Sequence, residues 1–332
     1  MFGAKEIALT IIFACLTILT ILLSVLGFAR NIGKEKGRDR FKTLALILTV
    51  GFAVRILLAL FIGGNRYDLT ELSTAANYFS EYGFSDYYAL YDVKVFPIAY
   101  YAFGVFGSLA SLLGIASGSV YFYLFLKLPL IVADLLSAVI VYFISKKFFN
   151  ERIGLVSATL VSLCPAFFLS SAVWGAQEIL CVPLLLFSFY LLILKKNFTA
   201  IIAYSLAMIT NKNALFVFPL FLVYYAYYFV LSIKETVALK KSGVEIKLKN
   251  IIALENTKSV IIIPCAVICS LILQYLVTLP LSLTSFNANP FMCIYHLFIE
   301  PVFTAENLPL TDLGFTQYLV KTHQRFRAVF RR

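Results

Sequence analysis

Read as apolar and polar positions, the chain alternates long, continuous apolar runs with short basic clusters. Ile7 to Ala29, Thr43 to Ile62, Val95 to Ala116, Phe122 to Ser145, Leu155 to Ser170, Ile179 to Leu194, Thr199 to Ile209, Ala214 to Leu231 and Val260 to Leu283 carry few charges or none. Several reach the roughly 20 residues that a helix needs to cross a hydrocarbon core of about 30 Å. A closed barrel would instead show alternating segments of roughly 10 residues. The pattern therefore predicts an all-α fold, a polytopic transmembrane helical bundle of about eight to nine spans.

Composition supports this reading: 61% of the 332 residues are apolar and 14% are charged, against roughly 25% charged in a soluble domain. The net charge of +11 does not point to nucleic acid, because the Lys and Arg residues fall in blocks between apolar runs, as the positive-inside rule describes. Arg30, Lys34, Lys36, Arg38, Arg40 and Lys42 against Glu35 and Asp39 fix a cytoplasmic linker. Ile7 to Ala29 is too long for a signal-peptide core and carries its positive charge after the run, so it reads as a retained span. Three regions follow: residues 1–42, an N-terminal span and basic linker; 43–232, a transmembrane module; and 233–332, a cytoplasmic loop with Lys240, Lys241, Lys247 and Lys249, a last span and a tail in which no further convincing span appears.

The run from Thr43 leads outward to a loop, residues 63–94, with interfacial helices expected in it. It holds Asp68, Glu71, Glu81, Asp86 and Asp92 against Arg66 and Lys94, five of the chain's 17 acids. The next two runs pose a parity question. If both cross fully, Lys146, Lys147 and Arg152 lie outside; if one of the two is re-entrant or lies along the interface, they are cytoplasmic, which charge bias favours.

Asp68-Leu69-Thr70-Glu71 admits two readings. It is a capping box, with Asp68 as N-cap and Glu71 at N3, opening an interfacial helix; or Asp68 is a carboxylate held at the membrane surface as a general base. The Tyr82 to Asp92 stretch that follows is dense in aromatic rings, which either anchor a loop at headgroup level or stack on sugars and headgroups. Ionisable residues within membrane segments are costly and each is a functional candidate, so Lys127, Asp134 and Glu178 qualify. Lys127 and Asp134 lie seven apart on one helix face, which a structural pairing network explains as well as a substrate site does. Trp174 beside Gln177 and Glu178 fits an interfacial aromatic belt. The six cysteines form no CxxC pair and the two histidines, His296 and His323, are far apart, so no metal site is indicated. No Gly-rich nucleotide loop appears, and the Asn197-Phe198-Thr199 sequon falls at a predicted cytoplasmic boundary.

In order along residues 43 to 225, these segments resemble the GT-C superfamily of polytopic glycosyltransferases, and within it bacterial and archaeal proteins similar to the second mannosyltransferase of GPI-anchor synthesis. The resemblance is carried by Asp68 after an outward span, Gly83 with Tyr87 or Tyr88, Asp92 with Phe96-Pro97-Ile98, Lys127-Leu128-Pro129 with Asp134, Pro165 with Trp174-Gly175-Ala176-Gln177-Glu178, and Asn211-Lys212-Asn213 with Pro219. It departs where the family's Tyr-Pro-Pro is Phe96-Pro97-Ile98, where Gln-x-Asp is Gln177-Glu178, in the extra N-terminal run, and in the absence of the usual later spans after about residue 284.

The resemblance implies transfer of a hexose, mannose foremost, from a polyprenyl-phosphate carrier to a hydroxyl on a lipid-linked or protein acceptor at the non-cytoplasmic face. The protein would be multi-pass, in the cell membrane of a prokaryote or the endoplasmic reticulum of a eukaryote. A glycosidase needs a second carboxylic acid to protonate its leaving group, whereas a phosphate leaves as an anion and needs positive charge nearby. Asp68 alone would then deprotonate the acceptor with inversion. Arg66, Lys94, Lys127 or Lys212 would neutralise the phosphate, and Glu71, Asp92, Trp174, Gln177 and Glu178 complete the expected substrate-binding set. No cofactor is expected; a divalent ion could replace a cation, though no motif requires one. Two rivals use the same residues: a transporter or flippase of lipid-linked saccharides, and an inactive, shortened homologue serving as a partner subunit.

Overall fold

The computed structural model describes residues 37–62, 64, 66–84, 87–90, 95–241, 254–283 and 289–298. Every regular element among them is a helix. The expectations for Ile7 to Ala29, for Asp92 and Lys94, for most of the loop after Lys241 and for the tail lie outside the described residues.

Gly37–Phe61 forms α1 and Arg66–Tyr82 forms α2, followed by the single turn α3 (Tyr87–Leu90) and by α4 (Pro97–Leu112). The 29-residue α5 (Val120–Phe148) starts where Ser119 accepts a hydrogen bond from the Phe122 amide at 3.2 Å, a side-chain N-cap. Asn150 caps α6 (Glu151–Ser162) in the same way, accepting from Ile153 N at 3.0 Å. After α7 (Pro165–Phe168), a π-helical turn (Leu169–Trp174) and a 3-10 turn (Gln177–Leu180) lead to α8 (Cys181–Ile193) and α9 (Asn197–Met208). A second 3-10 turn (Lys212–Val217), α10 (Phe218–Lys241), α11 (Glu255–Ser282) and α12 (Pro290–Phe298) complete the described chain.

Among the described residues, four helices are long and apolar enough to cross a membrane: Thr43–Phe61, Val120–Phe148, Lys212–Leu239 and Val260–Ser282. Glu151–Ser162 and Pro165–Trp174, bent by 46°, make a fifth if they form one broken crossing. The other apolar runs fold as shorter helices, Pro97–Leu112, Gln177–Ile193 and Asn197–Met208. At about 1.5 Å rise per residue, a helix the length of α4 covers only about 24 Å, less than a hydrocarbon core.

Packing sorts these helices into a centre and a rim. Half of the apolar window of α5 is buried, against 11% for Lys212–Leu239 and 17% for Val260–Ser282, so α5 is the axis around which the others stand. The rim helices present Leu220, Val223, Ile268 and Leu276 outward, as a surface facing hydrocarbon would. Where apolar burial gives little drive between helices, buried polar pairs hold them: Gln274 donates to Ser205 Oγ at 2.9 Å, joining α11 to α9, and the Ser232 and Thr257 hydroxyls meet at 2.7 Å between α10 and α11. Asn197 of the sequon is buried and accepts from the Tyr224 hydroxyl at 3.3 Å.

The described rings of the aromatic stretch after α2 form a packed cluster. Its rings pack on one another and on α4: Tyr87 stacks on Tyr100 with centroids 4.4 Å apart, and Tyr78 meets Tyr87 edge-on at 5.6 Å. The hydroxyls find backbone acceptors, Tyr88 on Val95 O at 2.8 Å and Tyr100 on Gly83 O at 2.7 Å, as buried tyrosines require. Burial holds the Tyr88 phenol well above its usual range, so it remains a donor. Among the described rings of the stretch, Tyr82 and Phe84 keep substantial exposure. The stretch is thus a small core that pins α2 against α4, and it depends on a close approach: a Cβ on Gly104 would lie 2.2 Å from the Phe79 ring. Gly104→Ala is expected to cost about 1–3 kcal/mol by overpacking, read as a lower unfolding temperature in detergent; an unchanged temperature would mean that α2 is free to move off α4.

Candidate functional site

The residues that bring α2 and the π-helical turn together are small. Gly64, just before α2, sits against the π-helical turn: a Cβ there would lie 2.4 Å from the Val173 carbonyl and 2.8 Å from Leu69. Gly175, which ends that turn, has φ +75° and ψ 33°, the left-handed region that glycine enters without penalty. A Cβ on Gly175 would touch Leu69 at 3.2 Å and Leu72 at 3.4 Å. The first two turns of α2, which carry Asp68 and Glu71, therefore rest on the Trp174-Gly175 segment, more than 100 positions further along the sequence.

Within that frame the expected site residues are distributed unevenly. α2 begins at Arg66, so Asp68 stands inside its first turn and not ahead of it as an N-cap; a carboxylate there is favoured by the helix dipole. Asp68 and Glu71 are half-buried. Trp174 keeps 42% of its surface exposed, Gln177 is half-buried and Glu178 exposed. Lys127 is 1% exposed and sits on α5 between Leu126 and Leu130, which share a core cluster with Leu72 of α2. No carboxylate among the described residues forms an ion pair with it. Lys212 is exposed at the start of a 3-10 turn, and its segment is drawn towards α4 by a hydrogen bond from Ile98 N to Ile209 O at 3.4 Å. Arg66 lies in α2, while Asp92 and Lys94 fall outside the described residues. No group of three His, Cys, Asp or Glu that could hold a metal is found among the described residues.

Asp134 belongs to a different place. Its Oδ2 accepts from Arg55 Nε and from Ser171 Oγ, both at 2.7 Å, and all three side chains are 0% exposed. Arg55 also donates from Nη1 to Gly51 O at 3.0 Å. The partner of Asp134 is thus an arginine on α1, not Lys127 two turns along its own helix. Ser162 completes the surroundings: its Oγ would lie 2.3 Å from a Cβ on Gly51, and Arg55 Nη1 would lie 3.2 Å from that same point. Arg55 went unnoticed in the sequence although it interrupts the run from Thr43; a charge within a membrane segment was the signal available.

Comparison with known proteins gives no match: no family model fits the chain, and neither a curated protein nor a solved structure matches it.

Proposed function

We propose that the protein is a membrane hexosyltransferase that uses a polyprenyl-phosphate-linked sugar, mannose foremost, and transfers it to a hydroxyl of a lipid-linked or protein acceptor at the non-cytoplasmic face. The observation that carries this reading is the seating of the Asp68 helix on the Trp174-Gly175 turn. It sets the helix that carries Asp68 against the turn that carries the partly exposed Trp174, and a carboxylate, a ring and the nearby Gln177 amide are the groups that an incoming sugar and acceptor require. Asp68 takes the proton of the acceptor hydroxyl as that oxygen attacks the anomeric carbon. The bond to the phosphate oxygen breaks, the lipid phosphate leaves as an anion, and the anomeric centre inverts.

Lys127 supports the second half of that step. A buried ammonium with no carboxylate partner among the described residues is costly in a low-dielectric core, and a lipid phosphate at this depth supplies a counter-charge. Lys212 is exposed and adds positive charge, and Arg66 and Lys94 of the 63–94 loop are the further cations this reading assigns to the phosphate. Glu71, Asp92, Gln177 and Glu178 are the polar groups available to the sugar hydroxyls, and Trp174 offers a ring face to the sugar. The eight or nine crossings of this reading require Ile7 to Ala29 and the three shorter apolar helices to cross as well, the shorter ones with the bilayer thinned around them and adjoining turns completing their length.

The test is transfer of a labelled hexose from a polyprenyl phosphate by the full chain reconstituted in vesicles, across several acceptor lipids and peptides. Product that forms only with protein present supports the assignment. If wild-type protein yields no product from any sugar, the enzyme reading fails and passage of lipid-linked saccharide across the same vesicles becomes the measurement of interest.

A further inference from the structure

The π-helical turn that carries Trp174 is irregular backbone inside an apolar bundle, and such turns persist only where surrounding contacts fix them. Three contacts are visible. Gly175 N–H and Ala176 N–H both return to Ser170 O, the latter at 2.9 Å, which closes the turn on itself. Val173 O and Gly175 lie against Gly64, Leu69 and Leu72, which seats the turn under α2. Ser171 Oγ donates to Asp134 Oδ2 at 2.7 Å, and this is the one contact that ties the turn to the long axial helix through a charged group.

Asp134 is itself fixed by Arg55 on α1, whose guanidinium reaches back to Gly51 O. One carboxylate oxygen therefore joins α1, α5 and the π-helical turn, at full burial, three residues before Trp174. We infer that Arg55, Asp134 and Ser171 are positioning residues: they set the height and rotation of the π-helical turn, and so the placement of Trp174 and Gln177 against the Asp68 helix. The assignment of a role in transfer rests on the function proposed above; the mechanical part does not.

Two features make this testable apart from folding. Trp174 is the only tryptophan of the chain, so the fluorescence of the whole protein reports on this turn. Replacing a buried ion pair with apolar residues of similar volume commonly leaves a protein as stable as before or more so, so Arg55→Met with Asp134→Leu removes the anchor without leaving a lone charge. Ser171→Ala removes only the donor and keeps the pair. Ser205→Ala, which cuts the Gln274 contact between α9 and α11, is the control for a lost buried hydrogen bond elsewhere.

Both Ser171→Ala and the double variant are expected to raise acrylamide quenching of Trp174 and to shift its emission, while Ser205→Ala leaves both unchanged. In the transfer assay the same two variants lose turnover, by up to about 10²-fold as for a misplacement on the scale of 1 Å, with KM little changed. Trp174 signals in both variants that match wild type would overturn the inference and leave the pair as a clasp between helices. If the quenching rises but wild-type protein transfers no sugar, the anchoring stands and the proposed function is what has failed.

Discussion

Asp68→Asn is expected to lower hexose transfer by about 10²- to 10⁴-fold, the range that a positioned general base contributes. The substitution keeps the shape of the side chain and its place in the first turn of α2, so binding of the donor should survive and KM for it should change little. A phosphate leaving group needs no proton from the protein, so a single base suffices and no second carboxylate should match the loss. Glu71→Gln, one turn along the same helix, is the internal comparison. It is expected to weaken apparent affinity more than turnover. Equal transfer by Asp68→Asn and wild-type protein would remove Asp68 as the base, and a loss confined to Glu71→Gln would move the chemistry to that residue.

The legible part of this molecule was its apolar period. The runs from Thr43, Phe122, Ala214 and Val260 lie in long helices because nearly every residue in them prefers lipid to water, although the first of these helices starts inside the basic linker at Gly37 and the third continues to Lys241. The runs from Val95, Ile179 and Thr199 looked much alike in composition, yet they fold as short helices. Pro97 at the start of α4 and the turn through Lys195, at φ 58°, set lengths that hydropathy does not encode. The packing of the aromatic stretch was illegible for a related reason. Composition marks rings as able to bind sugars or headgroups, but it does not show that Tyr100, on the next helix, offers Tyr87 a face to stack on.

The site was legible in pieces. Asp68, Lys127 and the Trp174-Gly175 segment stood out singly, and the contact that joins the first to the last runs through Leu69, Leu72 and Gly64, apolar or small residues that carry no chemical signal of their own. Arg55 was visible as a charge in an apolar run, but its partner stands 79 residues away and no spacing rule links them. Nor does any residue pattern announce a π-helical turn. This one is held by a hydrogen-bond closure on Ser170 and by contacts from α2 and α5, and only the assembled structure displays them.

Asp134→Ala, taken alone, should destabilise the protein by about 3–5 kcal/mol, because it leaves the Arg55 guanidinium buried without its counter-charge. Arg55 and Asp134 are each 0% exposed, so neither side chain can turn to solvent to relieve the loss without opening the interface between α1 and α5. The expected signature is non-additivity. Asp134→Ala and Arg55→Ala each cost most of the full penalty, and Arg55→Met with Asp134→Leu recovers most of it, since the pair is lost together and the volume is kept. Thermal or denaturant unfolding in one detergent gives all four values on one scale. A double variant as unstable as the singles would mean that the pair contributes through its own attraction and not merely through mutual neutralisation. An Asp134→Ala variant as stable as wild type would mean that water reaches Arg55, and that the centre of the bundle is far wetter than its packing indicates.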